Sequence, residues 1–295
     1  PAPAPPPKPL VGGWLTQFGI LLSRSWKQVV RDKATSKVRM TTSVMSALLF
    51  GSIFFKLGRT QGSIQSRMGL LQVACINTAM TSLVKTIAVF PNESAIVRRE
   101  REKQSYTIGP YFLAKLAAEL PISSVFPLAF AGIVYPLTGL HRKWGRFFKF
   151  MGILTLESFT ASSLGLALGA LAPSGDAAMA IGPPSMVIFI IFGGYYVNAE
   201  TIPKVLRGLP SISLIRWGFE ATSINDFKGL IFDHSREGDA ATGEQVLARL
   251  SFDKSTVSHA CLQQAKILLV NYGLTYYILR KKRPQFQEVE AEEEE

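Results

Sequence analysis

Six apolar runs, at about residues 40–57, 68–90, 113–140, 147–171, 177–194 and 258–279, dominate this chain, and basic segments flank them. A bilayer core about 30 Å thick is crossed by about 20 apolar residues in helix. Every backbone N–H and C=O at that depth needs a partner within the chain, and a helix supplies one for nearly all of them. The expected fold class is therefore all-α, a polytopic membrane domain with six transmembrane helices. The runs are unequal. The first is short, and Gln72, Asn77 and Lys85 interrupt the second. Pro121 and Pro127 predict a kinked start to the third, and Pro183 and Pro184 fall early in the fifth. Gln263, Gln264, Lys266 and Asn271 dilute the sixth.

Only 18% of the residues are charged, below the roughly 25% of soluble domains. The net charge of +11 raises nucleic acid as a partner. The basic residues flank apolar runs, however, as cytoplasmic charge bias requires, so membrane lipids are the expected partner and nucleic acid is not. The 98–103 segment, the basic N-terminal segment and Arg280 to Arg283 fall on one side of a six-span model. That side is assigned to the cytosol, with both termini there. One loop dissents: His141, Arg142, Lys143, Arg146 and Lys149 lie on the other face. Two cysteines without a CxxC, and three scattered histidines, predict no metal site.

Residues 1–13, PAPAPPPKPLVGG, read as a Pro-rich interdomain linker and lack the apolar core of a signal peptide. Residues 284–295 form an acidic cytosolic tail. Between them lies one domain, 14–283. Leu15, Phe18, Leu21, Leu22 and Trp26 recur at helical spacing among Arg24, Lys27, Arg31 and Lys33. They predict a basic amphipathic helix on the cytoplasmic membrane surface, or else an ordinary surface helix packed on protein. The external segment 195–256 begins too apolar for a free loop. Thr201 as N-cap, Pro203 in the first turn and Pro210 as a stop predict a short helix, with another over 212–227, both re-entrant. Residues 233–256 read as polar and solvated.

Two features carry chemistry. Arg98, Arg99, Glu100, Arg101, Glu102 and Lys103 are six charges in a row between apolar runs. They form either a solvated collar or a docking loop. Glu157 lies within the fourth run, where a carboxylate costs about 2.5–3.5 kcal/mol unless neutral, paired or hydrated. It is either a substrate or proton group, or a structural acid bonded to Ser158, Thr160 or a neighbouring helix. Gly165 and Gly169 in the same run predict close helix packing. No residue set resembles an intramembrane catalytic constellation.

The order of RDKATSKVR, FPNE, RRERE, YFLAKLAAELP, FGGYYVN, TIP and IRWGFEATSINDFKGLIF resembles the transmembrane domain of G-subfamily (white-brown complex) ABC half-transporters, most of all the plant ones. The resemblance spans residues 14–283. It implies an ABC-2 type exporter domain that dimerises, with itself or another half-transporter, and works with its own N-terminal nucleotide-binding domain. That domain would hold ATP and Mg2+; this chain, with no G-x-x-x-x-G-K-[ST] loop, is expected to hold no cofactor and no ATP site. The resemblance also implies roles for particular residues. Glu93, Arg99, Glu100 and Tyr106 would belong to the coupling helix between the second and third spans. Asn77, Met80, Val187 and Ile190 would line a substrate cavity, and Tyr195 with Tyr196 would form an external gate. The implied function is ATP-driven export of hydrophobic or amphipathic molecules (lipid, sterol or secondary metabolite) by alternating access, across the plasma membrane or an organelle membrane. An ATP-independent channel or scaffold is the alternative. The sequence departs from some relatives: residues 233–256 lack Cys and a glycosylation sequon, and Ser123 stands where those relatives carry Arg.

Overall fold

The computed structural model describes residues 12–102, 106–197, 203–233 and 239–281, without the side chains of residues 92, 95, 96, 98, 99, 101 and 102. The Pro-rich linker, the acidic tail, Thr201 and Ile202 lie outside this description. The described residues form ten α-helices: α1 Trp14–Arg31, α2 Lys33–Ile53, α3 Gln61–Glu102, α4 Ile108–Thr138, α5 Trp144–Leu171, α6 Gly175–Ile191, α7 Leu209–Ile212, α8 Leu214–Phe227, α9 Gly243–Arg249 and α10 Val257–Lys281. Among them, only Ile231 and Thr242 make a β-bridge. The all-α expectation stands.

By length and composition three helical segments suffice to cross a membrane, Gln61–Pro91, Ile108–Thr138 and Trp144–Leu171, and Gly175–Ile191 is a shorter apolar helix. α2 and α10 coincide with the first and sixth runs but are more polar. In α10 that polarity has partners. The Gln264 amide donates to Glu157 of α5, and Asn271 Nδ2 donates to Ser163 Oγ at 3.2 Å. Polar pairs of this kind join helices where lipid supplies no hydrogen bonds.

α3 and α5 form the centre. Gly165 lets α5 approach until an added Cβ would stand 2.9 Å from Thr86 Cβ, and at Gly169 it would stand 3.0 Å from Phe90. Ser82 and Ser158 hydrogen-bond across the same seam at 2.7 Å. The predicted close packing is thus present. The carboxyl of Glu157 meets α8 at Gly218, where a Cβ would collide with it. Its hydrogen-bond partner is Gln264 of a neighbouring helix, while Ser158 bonds Ser82 and Thr160 bonds the Leu156 carbonyl.

Four expectations need correction. The charged stretch is not a loop: α3 continues through Pro91 to Glu102, 42 residues in all. Pro91 removes one rung of the ladder, and the surrounding helix tolerates it. The prolines of the third run are internal, because α4 starts at Ile108 and holds Pro121, Pro127 and Pro136. Pro210 does not end a helix but opens the one-turn α7. Residues 233–256 are not merely solvated. α9 is held by a Thr242–Gln245 capping box, and Val246, Leu247 and Phe252 join Phe227 and Phe232 in the main core.

α8 is buried along almost its whole length, packed against α3, α5 and α10. Ser213 caps its start and also donates to the Phe189 carbonyl of α6 at 2.8 Å. At its end Arg146 donates to the carbonyls of Asn225 and Lys228. A cation at a helix C-terminus is favourable. His141, beside Arg146, is pushed down from its ordinary value by burial and then by that guanidinium. The dissenting basic loop is therefore partly structural, with His141 neutral at pH 7 and the charge of Arg146 engaged by α8.

Candidate functional site

At one end of the bundle α1, the last turns of α3 and the head of α4 converge. α1 lays Leu21 against Phe90, Val97, Tyr106 and Tyr111, so its inner face packs on protein. Leu15 and Ile20 stay exposed, at 77% and 57%, leaving an apolar stripe of the kind expected at a membrane surface. Gln17 accepts from the Thr107 N–H at 3.2 Å and so serves the start of α4. The Arg24 guanidinium forks onto Glu100 at 2.7 and 3.0 Å, and Tyr106 donates to the same carboxylate at 2.6 Å. Its hydrogen bond to Glu100 holds Arg24 above its ordinary value. Burial, then the Glu100 carboxylate, pushes the Tyr106 phenol up.

One turn closer to the bundle, Lys115 of α4 pairs with Glu93 and, at 3.0 Å, with Glu119. Glu119 also faces Lys85 at 3.7 Å. Three of the four expected coupling residues, Glu93, Glu100 and Tyr106, thus meet; the side chain of Arg99 lies outside the described residues. Sequence reading missed Arg24, Lys115 and Glu119. The available signal was Lys115 and Glu119 themselves, an i,i+4 opposite-charge pair inside an apolar run.

A groove of about 740 Å3 lies between α2, α3 and α4, with Asn77 and Met80 on its wall. Asn77 Nδ2 donates to Ser46 Oγ at 3.4 Å. Val187 and Ile190 of α6 do not line it. Met80 and Ile190 pack on one apolar cluster around Met186, whereas Val187 is 49% exposed. One chain alone does not gather the four cavity residues.

At the opposite end, α6 stops at Ile191, so Tyr195 and Tyr196 lie beyond the helix and not at its tip. Their rings meet edge-on at 5.0 Å. Tyr195 packs on Phe219 and accepts from Gln65 Nε2 at 2.8 Å. Tyr196 is 61% exposed. Gly194 has φ +87 and sits against Phe252, and a Cβ on Gly193 would stand 2.9 Å from the Ile190 carbonyl. These glycines serve a tight, packed turn, not free swinging of both rings. Nearby, buried Arg67 of α3 pairs with Asp226 of α8 at 3.0 Å.

The environments separate the two tyrosines. Tyr195→Ala is expected to destabilise the domain by about 2 kcal/mol, roughly half the cost of emptying a full aromatic site. Tyr196→Ala should leave insertion and thermal stability unchanged and alter transport per inserted molecule. Flux normalised to inserted protein measures this, and normal flux with Tyr196→Ala removes that residue from any gate.

Ten helices, a groove and an ion-paired junction at the foot of α3 limit the chain to a few membrane architectures. A family model described as ABC-2 type transporter matches residues 16–227. The chain belongs to the ABC-2 type transporter family. ABC transporter G family member 7 of Arabidopsis thaliana is 52% identical over 278 residues, 94% of this chain and 38% of that protein. Protein white of Ceratitis capitata is 30% identical over 280 residues, 93% of this chain and 41% of that protein. A Caenorhabditis elegans relative, "ABC transporter ATP-binding protein/permease wht-1", is 30% identical over 250 residues, 81% of this chain and 37% of that protein. These relatives place the ABC-2 domain in the transporter G family. The chain spans about two fifths of the length of each.

Proposed function

We propose that this ABC-2 domain is the membrane-spanning half of an ATP-driven exporter that moves hydrophobic or amphipathic molecules by alternating access. The observation that carries the reading is α3. One unbroken helix runs from the groove residues Asn77 and Met80 to the ion-paired foot at Glu100. In this reading the six spans are α2, α3 as far as Pro91, α4, α5, α6 and α10. α1, the foot of α3 and both termini face the cytosol, and α7 to α9 are external, with α8 re-entrant. The foot meets a nucleotide-binding domain, where ATP and Mg2+ act; the residues of this chain offer neither a phosphate loop nor a described cluster of metal ligands. The printed name of the Caenorhabditis elegans relative joins ATP binding and permease in one protein, which supports this partner.

Dimerisation completes the cavity. Val187, Ile188 and Ile191 of α6 are 44–49% exposed, an apolar face that a second half-transporter, identical or different, would cover. Asn77, Met80, Val187 and Ile190 of both copies would then surround the path, with Tyr196 at its external end. The test is the full-length protein in phosphatidylcholine proteoliposomes, followed with a fluorescent lipid analogue. Flux is expected with ATP and not with a non-hydrolysable analogue; equal flux without hydrolysis would sink the exporter reading in favour of a channel.

Asn92 tests the topology. Asn92-Glu93-Ser94 is a sequon, but it lies in helix just beyond Pro91 on the proposed cytosolic side. In microsomes no glycosidase-sensitive mass is expected there. A shift on digestion that vanishes with Asn92→Gln would overturn the orientation.

A further inference from the structure

The groove between α2, α3 and α4 is not uniformly apolar. Val38, Met80, Val84, Phe126 and Phe130 form its walls, while Arg39 and Lys85 stand together toward the α1 end. The two cations differ in their company. Lys85 faces Glu119 at 3.7 Å. Arg39 makes no ion pair among the described residues. Its guanidinium lies over the Phe126 ring, 4.0 Å from the centroid. Stacking of this kind stabilises the cation while leaving its planar N–H fork available, and that fork matches a carboxylate, sulfate or phosphate.

The local charges do not cancel. Arg39, Lys85 and Lys115 are three cations, against the two carboxylates Glu93 and Glu119. An uncompensated, half-buried arginine at the edge of a membrane span is costly without a counter-charge. The complement of this site is a single negative charge at the Arg39 end, followed by an apolar body along the phenylalanines. Its volume, about 740 Å3, falls within the roughly 300–1,000 Å3 of small-molecule pockets.

We propose that the groove binds a single-chain anionic amphiphile drawn from the cytosolic leaflet, with its acid group on Arg39 and its hydrocarbon against Met80, Phe126 and Phe130. The proposal rests on the exporter reading for the word cargo, but binding itself does not. Arg39 would set head-group specificity, in the region where Ser123 supplies no charge.

The test uses palmitic acid carrying a diazirine and a click handle, together with the corresponding alcohol. The full-length protein in phosphatidylcholine nanodiscs is photolabelled without nucleotide, and the labelled peptides are mapped. A charge-assisted hydrogen bond in a partly buried site predicts that the acid labels the groove at least about tenfold more than the alcohol. Arg39→Met should abolish that preference and Arg39→Lys should keep much of it. Equal labelling by acid and alcohol in the unmodified protein overturns the proposal without any variant. So does a preference that survives Arg39→Met. Displacement of the acid by phosphatidylglycerol in the nanodisc would make the groove a phospholipid seat, which also overturns it. Protein that labels as predicted yet moves nothing with ATP would sink the exporter reading and leave the site standing.

Discussion

Replacing Arg67 by methionine is expected to cost the folded domain about 3–5 kcal/mol, because it leaves a buried carboxylate without its counter-charge. Arg67 is 3% exposed and Asp226 1%. One guanidinium nitrogen binds Asp226 Oδ2 at 3.0 Å, and another donates to the carbonyls of Leu57 and Gly58 at 3.0 and 3.1 Å. Asp226 Oδ1 in turn accepts from the His141 N–H at 2.9 Å. The pair therefore ties α3, α8, the α2–α3 connection and the α4–α5 connection at one point. For a domain of this size the loss corresponds to a fall of roughly 10 °C in thermal midpoint, measurable on the purified full-length protein in detergent. Arg67→Met with Asp226→Leu should recover much of it, since two apolar residues can replace a buried ion pair. A fall of less than about 2 °C in the single variant would show that this hub carries little.

The second large effect is functional. Glu100→Arg is expected to reduce transport more than tenfold while ATP hydrolysis and insertion persist. The reason lies in geometry rather than stability. Arg24 is 53% exposed at its side chain, and ion pairs this open contribute only about 0–1 kcal/mol. What the bidentate contact fixes is the angle between α1 and the foot of α3, and a planar fork holds an angle better than a point charge. With arginine at 100, two like charges push the helices apart. Adding Arg24→Glu restores an opposite-charge pair, so transport should return at least in large part. Glu100→Arg with normal export would reject any coupling role for this contact. Failure of the reciprocal swap would show that Glu100 faces the nucleotide-binding domain directly.

Helix positions were legible because lipid-scale apolar runs permit little else, and α4, α5 and α10 fall where residues 113–140, 147–171 and 258–279 place them. What the runs conceal is direction around the helix axis. Gln264 and Asn271 weaken the sixth run as a span, yet both turn inward to α5. Arg146 argues against the topology by its charge, yet its work is to cap α8. Both are pairings across more than 75 residues, which periodicity cannot register. The charged run 98–103 misled for a different reason. Charge density signals solvent, not loop, and a solvated helix satisfies both conditions. Met80 and Ile190 share a cluster, but Asn77 and Val187 face different surroundings, so the cavity set cannot be judged from one chain.

The length of α3 has a mechanical consequence. At 42 residues and 1.5 Å per residue it is a rod of about 63 Å, twice a bilayer core. Gln65 and Arg67 anchor one end to Tyr195 and Asp226, and Glu100 anchors the other to Arg24. The Ser82–Ser158 bond lies almost at the midpoint. A stiff rod held at its centre is a balance beam with equal arms. Any tilt that carries the cytosolic tip one way carries the far tip the other way by the same distance, with no amplification. Pro91, with its missing rung, is the compliant joint in the lower arm, and it sets how much of a push at Glu100 is spent in bending before the upper arm moves.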